Sequence, residues 1–141
     1  MIIGYTTGVF DLFHIGHLNI LRRAREQCDH LIVGVSTDEL VEEYKHKRPV
    51  ICYEERRQIV EAIRYVDEVI PQTDRDKYAA WEKLGFNRMF VGDDWKGSPL
   101  FEELEKKLRI HGVDIVYFPY TQGTSSTKLS HVLDMLAERD T

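Results

Sequence analysis

The segment from Thr7 to His17 carries the residue types best suited to chemistry on phosphates. It reads TGVFDLFHIGH and follows a β-branched run that predicts the first strand. His14 and His17 are three residues apart, so they share one face if the segment after the turn is helical. Gly8 permits close backbone approach or a positive φ, and Gly16 lets a ligand lie against a helix N-terminus, whose free N–H groups attract anions. We therefore expect a phosphate clamp at this turn.

The same two histidines have two other interpretations. They are satisfied packing residues in one, and metal ligands in the other, with Asp11 as the third ligand. No cysteine lies nearby in the sequence to complete a metal site. The chain also lacks the lysine-threonine pattern of a P-loop and the G-x-G-x-x-G of a dinucleotide-binding turn, which argues against those two enzyme classes.

Short β-branched runs alternate with longer stretches of helical period along the chain. The expected strands are residues 2–7, 30–36, 68–70, 88–91 and 114–118. This alternation is typical of repeated βαβ units. The sequence therefore predicts an α/β fold, a single-domain Rossmann-like three-layer arrangement with a mainly parallel five-stranded sheet, over residues 1–141.

Capping residues mark where several helices are expected to begin. Ser36 and Glu39 fit an S-x-x-E capping box, and Ser98 precedes a proline suited to a first helical position. Further helices are expected after the first strand, around Ile59 and, at the end of the chain, from about Ser126. The predicted helices would cover both faces of the sheet.

The charge balance excludes several classes of partner. Twenty-four acidic and nineteen basic residues give a net charge of -5, so no global field attracts a polyanion and a nucleic-acid partner is disfavoured. No apolar run approaches the ~20 residues that span a bilayer, and the first residues lack the pattern of a signal peptide. We expect no membrane insertion and a cytoplasmic location. Cys28 and Cys52 follow no C-x-x-C pattern and are expected to be reduced.

Four blocks of the chain, taken in order, resemble one known family. They are GVFDLFHIGH at 8–17, RYVDEV at 64–69, GDDWKG at 92–97 and TQGTSST at 121–127. The first is similar to the motif of the small HxGH nucleotidyltransferases. The set is similar to the cytidylyltransferase family, and most of all to its glycerol-3-phosphate branch. Four blocks at family-like separations are far more specific than any one of them.

This resemblance implies transfer of CMP from CTP to sn-glycerol 3-phosphate, giving CDP-glycerol, for cell-wall or capsule polymers, and pyrophosphate. A phosphate oxygen of the acceptor would attack the α-phosphorus in line, without a covalent enzyme intermediate. Mg²⁺ is expected to accompany CTP, chelated by its phosphates, with no metal ligand assigned to the protein. A homodimer is implied too, with the 64–69 block at its interface. Phosphocholine or another polyol phosphate as acceptor, adenylate transfer, and a non-catalytic nucleotide-binding module are the alternatives.

The resemblance also implies roles for individual residues. The expected catalytic residues are His14, His17, Lys45 and Lys47. The expected nucleotide contacts are Gly8, Val9, Phe10, Gly16, Asp93, Thr121, Ser125 and Ser126. The expected contacts to the phosphorylated alcohol are Asp11, Arg64, Asp67, Asp94 and Trp95.

Structural roles compete with several of these assignments. A basic run such as 45–48 is often a solvated face. Arg64 and Asp67 are spaced as an intrahelical ion pair, and Trp95 is equally suited to a core. Arg56 is a weaker candidate for phosphate binding.

The chain departs from the family pattern at three places. Val9 stands where the family usually has Thr, and Tyr120 where it usually has Arg. Residues 72–75, which read QTDR, lack a tryptophan found near the substrate in the glycerol-3-phosphate branch. A missing arginine removes a strong anion contact. Arg75 and Arg64 are the cations that we expect to compensate for it.

Overall fold

The computed structural model describes residues 1–119 and 126–139. In chain order, its elements are β1 (Ile3–Gly8), α1 (Ile15–Glu26), β2 (His30–Ser36), α2 (Asp38–Lys45), α3 (Tyr53–Glu61), β3 (Glu68–Gln72), α4 (Lys77–Leu84), β4 (Arg88–Gly92), a short 3-10 turn (Asp93–Trp95), α5 (Pro99–Arg109), β5 (Asp114–Phe118) and α6 (Ser126–Arg139).

The five strands form one parallel sheet in the order β3-β2-β1-β4-β5. The central strand is β1, where Tyr5 pairs with Ile32 of β2 and with Met89 of β4. The direction in which strands are added reverses between β1 and β4. At such a point the carboxyl ends of the strands diverge and leave a crevice for a ligand. The predicted Rossmann-like α/β fold with a five-stranded parallel sheet is confirmed.

Helices cover both faces of the sheet, because each buried strand is apolar on both sides. One face packs against α1 and α3 through a cluster formed by Leu21, Ala24, Leu31, Val33, Val35, Val60 and Phe90, among others. The other face packs against α5 through Tyr5, Ile32, Phe86, Met89, Phe101, Leu104 and Leu108. Alternate residues of β2 thus serve opposite layers, which fixes its register.

Two elements differ from the expectations. Strand β3 continues to Gln72 and includes Pro71, which an edge strand tolerates because one side of its backbone has no strand partner. Helix α4 is absent from the sequence-based expectations. None of its residues is fully buried, and Tyr78 and Trp81 pack only partly against the core, so the sequence shows little amphipathic period there.

The capping predictions have opposite outcomes. The Ser36 capping box is wrong, because Ser36 stays in β2 and Thr37 caps α2, its Oγ1 accepting the N–H of Leu40 at 3.2 Å. The Ser98 cap of α5 is confirmed, with Oγ accepting the N–H of Phe101 at 3.3 Å.

None of the helices described is long and apolar enough to cross a bilayer. Cys28 is buried in the core, Cys52 is exposed, and both are free thiols.

Candidate functional site

The two histidines of the HxGH segment lie at the N-terminus of α1. His14 is the N-cap residue, and its Nδ1 accepts the backbone N–H of Gly16 at 3.0 Å. His17 lies one turn later, and its Nδ1 accepts the backbone N–H of His14 at 3.3 Å. Because each Nδ1 is an acceptor, the proton of each neutral ring lies on Nε2. Both imidazoles are thereby oriented as Nε2–H donors.

Burial keeps both imidazoles neutral. Desolvation lowers the pKa of His14, and desolvation together with the neighbouring His14 lowers the pKa of His17 to about 3. The two rings stack with centroids 3.9 Å apart, and the rings of Phe10 and Phe13 lie 5.3 and 5.2 Å from that of His17. An apolar lining of this kind strengthens the electrostatic effect of a donor on a bound anion.

The loop between β1 and α1 has an unusual backbone. Phe10 and Leu12 have φ values of 55° and 51°, a left-handed conformation that costs energy for residues other than glycine. Phe10 is nevertheless buried, 6% exposed, with its ring under Gly8. A Cβ on Gly8 would come within 2.9 Å of that ring, so the glycine is required for close approach. Strain of this kind occurs at sites that must hold a fixed geometry.

Asp11 holds the loop between β1 and α1 in place through its carboxylate. Its carboxylate accepts the backbone N–H groups of Val50 and Ile51 at 2.8 and 2.9 Å. These bonds connect the HxGH loop to the segment that leads into α3. Asp11 is expected from the sequence to contact the substrate; in the structure its carboxylate is engaged with these two N–H groups and positions the loop.

Arg56 of α3 is a second anchor of the loop. Its side chain is 1% exposed and donates to the carbonyl oxygens of Val9, Ser36 and Ile51 at 2.6, 2.7 and 2.8 Å. It also forms an ion pair with Asp38 at 2.7 Å. One guanidinium therefore joins the ends of β1 and β2 to the start of α2. Sequence reasoning ranked Arg56 low, since nothing in the sequence shows that its partners are carbonyl groups.

Asp38, which is partly exposed, is the ionic partner of the buried Arg56. Its other carboxylate oxygen accepts the backbone N–H of Tyr53 at 3.1 Å. Burial by itself would raise the pKa of Asp38, but the hydrogen bonds from Tyr53 and Arg56 outweigh burial and lower it. The Asp38 carboxylate is therefore ionised at neutral pH.

Three cavities open on the carboxyl edge of the sheet, and Val9 and Lys45 line all three. The histidine cavity, about 310 Å³, is lined by residues that include Phe10, His14, Gly16, His17, Asp94 and Ser126. The Arg75 cavity, about 680 Å³, is lined by residues that include Gly8, Tyr44, Arg75, Lys77, Trp95 and Lys107. The α6 cavity, about 530 Å³, is lined by residues that include Asp11, Lys47, Arg48, Ser130, His131 and Asp134.

The two expected catalytic lysines differ in placement. Lys45 ends α2, where a cation also complements the helix dipole, and its Nζ lies 5.7 Å from the centroid of the Tyr44 ring. Lys47 borders only the α6 cavity among the three, and its Nζ forms an ion pair with Asp134 at 3.0 Å and a hydrogen bond to Ser130 at 3.3 Å. Lys45 is thus the lysine at the junction of the cavities.

The turn after β4 contributes to two cavities. Asp94 lines the histidine cavity, and its carboxylate lies so close to Gly92 that a Cβ there would approach Oδ1 to 2.7 Å. Trp95 lines the Arg75 cavity and is 41% exposed, so it is not a core residue. Asp93 is exposed in the same turn.

Arg75 and Lys77 follow β3 at the same edge. Arg75 is one of the two cations expected to compensate for the missing arginine, whereas Lys77 is not among the expected residues, although a lysine just after a strand and near another cation is a usable signal. Desolvation, with the charge of Arg75 adding to it, lowers the pKa of Lys77. Next to them, the side-chain carbonyl of Gln72 accepts a hydrogen bond from the buried hydroxyl of Tyr5 at 2.5 Å. The Tyr5 hydroxyl therefore has a hydrogen-bond partner inside the protein.

Two expected substrate contacts lie elsewhere. Asp67 accepts the N–H of Leu31 at 2.8 Å and pairs with Arg25 at 3.2 Å, at the amino edge of the sheet. Arg64 lies in the segment before β3, on the same amino side of the sheet, and its guanidinium contacts the hydroxyl and ring of the adjacent Tyr65. Within one chain, the structure therefore does not bring Arg64 and Asp67 to the histidine cavity, and their assignment to substrate stays a prediction. Nor do these two residues form the intrahelical pair, since α3 ends at Glu61.

The final family-like block is described only from Ser126 onward. Ser126 donates through Oγ to the carbonyl of Asp11, and its Oγ lies 3.3 Å from Nε2 of His17. The start of α6 therefore lies against the histidine cavity. Thr121 and Ser125, as well as Tyr120, lie outside the described residues.

Metal binding to these side chains is not supported by their arrangement. In residues 1–119 and 126–139, no group of three or more His, Cys, Asp or Glu side chains is placed to hold an ion. Asp11, the third ligand in the metal interpretation, is engaged with backbone N–H groups.

Comparisons with known proteins agree with this geometry. A family model described as cytidylyltransferase-like matches residues 5–132. The glycerol-3-phosphate cytidylyltransferase of Staphylococcus aureus is 41% identical over 129 residues, covering 91% of this chain and 92% of the relative. That of Bacillus subtilis is 39% identical over 131 residues, covering 88% and 91%.

More distant relatives share the domain. An FAD synthase of Thermococcus sibiricus is 34% identical over 136 residues, covering 94% of this chain and 90% of its own. The crystal structure of a lipopolysaccharide core biosynthesis protein from Thermoplasma volcanium superposes with a TM-score of 0.71 at 24% identity, covering 88% of this chain and 99% of its own, which supports the fold. On the strength of the family model and the relatives, this chain belongs to the cytidylyltransferase-like family.

Proposed function

We propose that this protein transfers CMP from CTP to sn-glycerol 3-phosphate and releases pyrophosphate. The observation that carries the proposal is the pair of neutral Nε2–H donors, His14 and His17, at a helix N-terminus. The two histidines line a cavity that shares Lys45 as a lining residue with two neighbouring cavities. The similarity to glycerol-3-phosphate cytidylyltransferases over about nine tenths of the chain supports the choice of nucleotide and acceptor.

The residues suit catalysis by positioning of the substrates and stabilisation of negative charge. The phosphate of the acceptor is already an anion at neutral pH, so it attacks the α-phosphorus without a general base. His14 and His17 donate from Nε2 to α-phosphate oxygens, where negative charge grows in the transition state. They do so as neutral groups whose rings are already oriented by backbone N–H groups, so little reorganisation is needed.

The two substrates are assigned to different cavities. CTP occupies the histidine cavity, with its outer phosphates toward Lys47 and Arg48 in the α6 cavity. Glycerol 3-phosphate occupies the Arg75 cavity, between Lys77 and Trp95. Lys45 borders both substrates and neutralises charge where the phosphates meet.

Mg²⁺ is proposed to arrive with CTP. It would neutralise charge on the β- and γ-phosphates and on the leaving pyrophosphate. Asp94 lines the histidine cavity and is the carboxylate that we propose as a ligand of this ion. One carboxylate would leave most of the ligand positions to phosphate and water oxygens.

We also propose a cytoplasmic homodimer with the 64–69 block at its interface. Arg64 is exposed, and its guanidinium lies 5.2 Å from the ring centroid of Tyr65. Arginine and aromatic residues are enriched at protein–protein interfaces, and here an exposed arginine lies against a half-buried tyrosine ring. Light scattering at micromolar concentration tests this, and the mass of a monomer would refute it.

The decisive experiment for the reaction is a pyrophosphate-release assay. CTP, ATP, UTP and GTP are each combined with glycerol 3-phosphate, phosphocholine and a longer polyol phosphate, with Mg²⁺ present. Release should be fastest for CTP with glycerol 3-phosphate and absent without an acceptor. Faster release from ATP, or from another acceptor, would overturn the proposed substrates. Binding of CTP without release under any combination would overturn catalysis.

A further inference from the structure

The ring of Tyr44 lies beside two cations of the protein itself. Tyr44 is half-buried near the end of α2 and lines the Arg75 cavity. The guanidinium carbon of Arg75 lies 4.8 Å from the ring centroid, and Nζ of Lys45 lies 5.7 Å from it. Both distances are within the range of cation–π attraction. The ring is therefore already occupied by internal positive charge.

The Arg75 guanidinium is exposed and available to a ligand. It follows β3 at the carboxyl edge of the sheet. Across the described part of the chain, no acceptor is found within hydrogen-bonding distance of its N–H groups, whereas Arg56 satisfies its donors with three carbonyls and a carboxylate. Contact with Tyr44 restricts the side chain without consuming its donors.

The nearby carboxylates are used for local backbone structure. Asp74 accepts the backbone N–H of Asp76 at 2.9 Å, and Asp76 in turn accepts the N–H of Ala79 at 3.0 Å to cap α4. Lys77 lines the cavity beside Arg75, and the positive charge of Arg75 contributes to the lowered pKa of Lys77. The cavity is lined by four cations (Lys45, Arg75, Lys77 and Lys107) and three carboxylates (Asp74, Asp76 and Glu103). Because Asp74 and Asp76 already accept backbone N–H groups, the balance favours oxygen-rich or anionic ligands over cationic ones.

We propose that Arg75, held against Tyr44, is the residue that selects the acceptor. Its free N–H groups bind oxygen atoms of a polyol phosphate. Its charge takes the aromatic face that a quaternary ammonium group would otherwise use, and repels such a group. The site therefore prefers glycerol 3-phosphate to phosphocholine, two acceptors with the same reacting phosphate and different head groups.

This inference rests on the proposed cytidylyl transfer, and the test separates the two. Steady-state rates are measured with saturating CTP and varied glycerol 3-phosphate or phosphocholine, and with varied CTP at saturating glycerol 3-phosphate, for the wild type and Arg75→Gln. The matched control is Arg109→Gln, an exposed arginine at the end of α5 with one weak contact to Glu105 at 4.0 Å. Thermal unfolding of each variant checks that the fold is retained.

Arg75→Gln should raise the KM for glycerol 3-phosphate about tenfold or more, consistent with loss of a charge-assisted contact, and leave the KM for CTP within twofold. The preference for glycerol 3-phosphate over phosphocholine, as a ratio of kcat/KM, should fall at least tenfold. Arg109→Gln should match the wild type. An unchanged preference and KM in Arg75→Gln would overturn the inference and leave the proposed reaction intact.

A wild type that releases no pyrophosphate would instead overturn the proposed reaction. In that case calorimetric titration of glycerol 3-phosphate and of phosphocholine, into the wild type and Arg75→Gln, decides the inference. A preference for glycerol 3-phosphate that falls at least tenfold in Arg75→Gln supports the role of Arg75. Equal preferences in the two proteins, or no binding to either, would overturn it.

Discussion

His14 donates its backbone N–H to Nδ1 of His17 while its own ring accepts the N–H of Gly16. The backbone of one histidine thus orients the ring of the other, and the two rings stack. Neither imidazole is an independent feature of the site. Both are set by the same turn of backbone at the start of α1, so the pair acts as one unit in binding the α-phosphate.

Replacing either histidine should abolish most of the activity. His14→Ala and His17→Ala should each lower kcat by about 10²–10³-fold, the typical effect of removing a donor aimed at growing charge. The double variant should be little worse than the poorer single variant, because the rings act as a unit. His30→Asn, which alters an exposed imidazole paired with Glu68 at the amino edge, is the matched control. Turnover of either single variant near that of the wild type would contradict the assignment.

The neutral state of His17 makes folding stability dependent on pH. Its folded pKa is lowered to about 3, mainly by burial, from an unfolded value near 6.5. A lowered histidine pKa gives stability that is present above the unfolded pKa and is lost as pH falls toward the folded value. The wild type should therefore lose roughly 1–2 kcal/mol more than His17→Asn between pH 7 and pH 4.5. Urea unfolding at the two pH values measures the difference, and equal losses would contradict the buried, neutral His17.

Sequence patterns predicted the parts of the fold that depend on local periodicity. Strands β2 and β5 have the expected bounds, β1 is displaced by one residue at each end, and β3 and β4 extend two residues and one residue further. The HxGH segment also forms the expected turn and helix N-terminus. These features follow from β-branched runs and from residues that are neighbours along the chain.

Features that depend on contacts between distant segments were not predictable in this way. Asp11 reaches the backbone of Val50 and Ile51, about forty residues away, and the sequence shows a carboxylate without showing its partner. Asp67 likewise follows a helix in the sequence, yet the parallel topology puts it at the amino edge with Leu31. Long-range hydrogen bonds, rather than residue type, decide which of the expected residues reach the site.

The buried Arg56 is expected to dominate the stability of the loop. Arg56→Gln removes the ion pair with Asp38 and takes a buried guanidinium away from the carbonyls of Val9 and Ser36, which should cost about 2–4 kcal/mol. Arg48, 3.9 Å from Asp38, remains as a weaker cation. Arg57→Gln is the matched control, since this neighbour on the same helix pairs with the exposed Glu54 and Glu61. Denaturant unfolding compares the two variants. A similar, small effect of both would show that Arg56 does not anchor the loop.

The two lysines near the site should differ in their effects. Lys45 borders all three cavities, whereas Lys47 is already paired with Asp134 and borders the α6 cavity. Lys45→Gln should therefore lower kcat at saturating substrate by about 10²-fold, because charge is lost where the reacting phosphates meet. Lys47→Gln should act mainly on binding and raise the KM for CTP by about tenfold or less, the effect of losing one exposed charge-assisted contact.

Asp134→Asn completes this comparison, because it releases Lys47 from its ion pair on α6 without removing the cation. If Lys47 binds the outer phosphates of CTP, the ion pair competes with the nucleotide, and its loss should lower the KM for CTP while kcat is unchanged. Steady-state kinetics of the three variants with varied CTP and saturating glycerol 3-phosphate measures each effect. A larger loss of kcat in Lys47→Gln than in Lys45→Gln would mean that the segment after α2 moves on binding CTP, and that Lys47 is the lysine at the reacting phosphates.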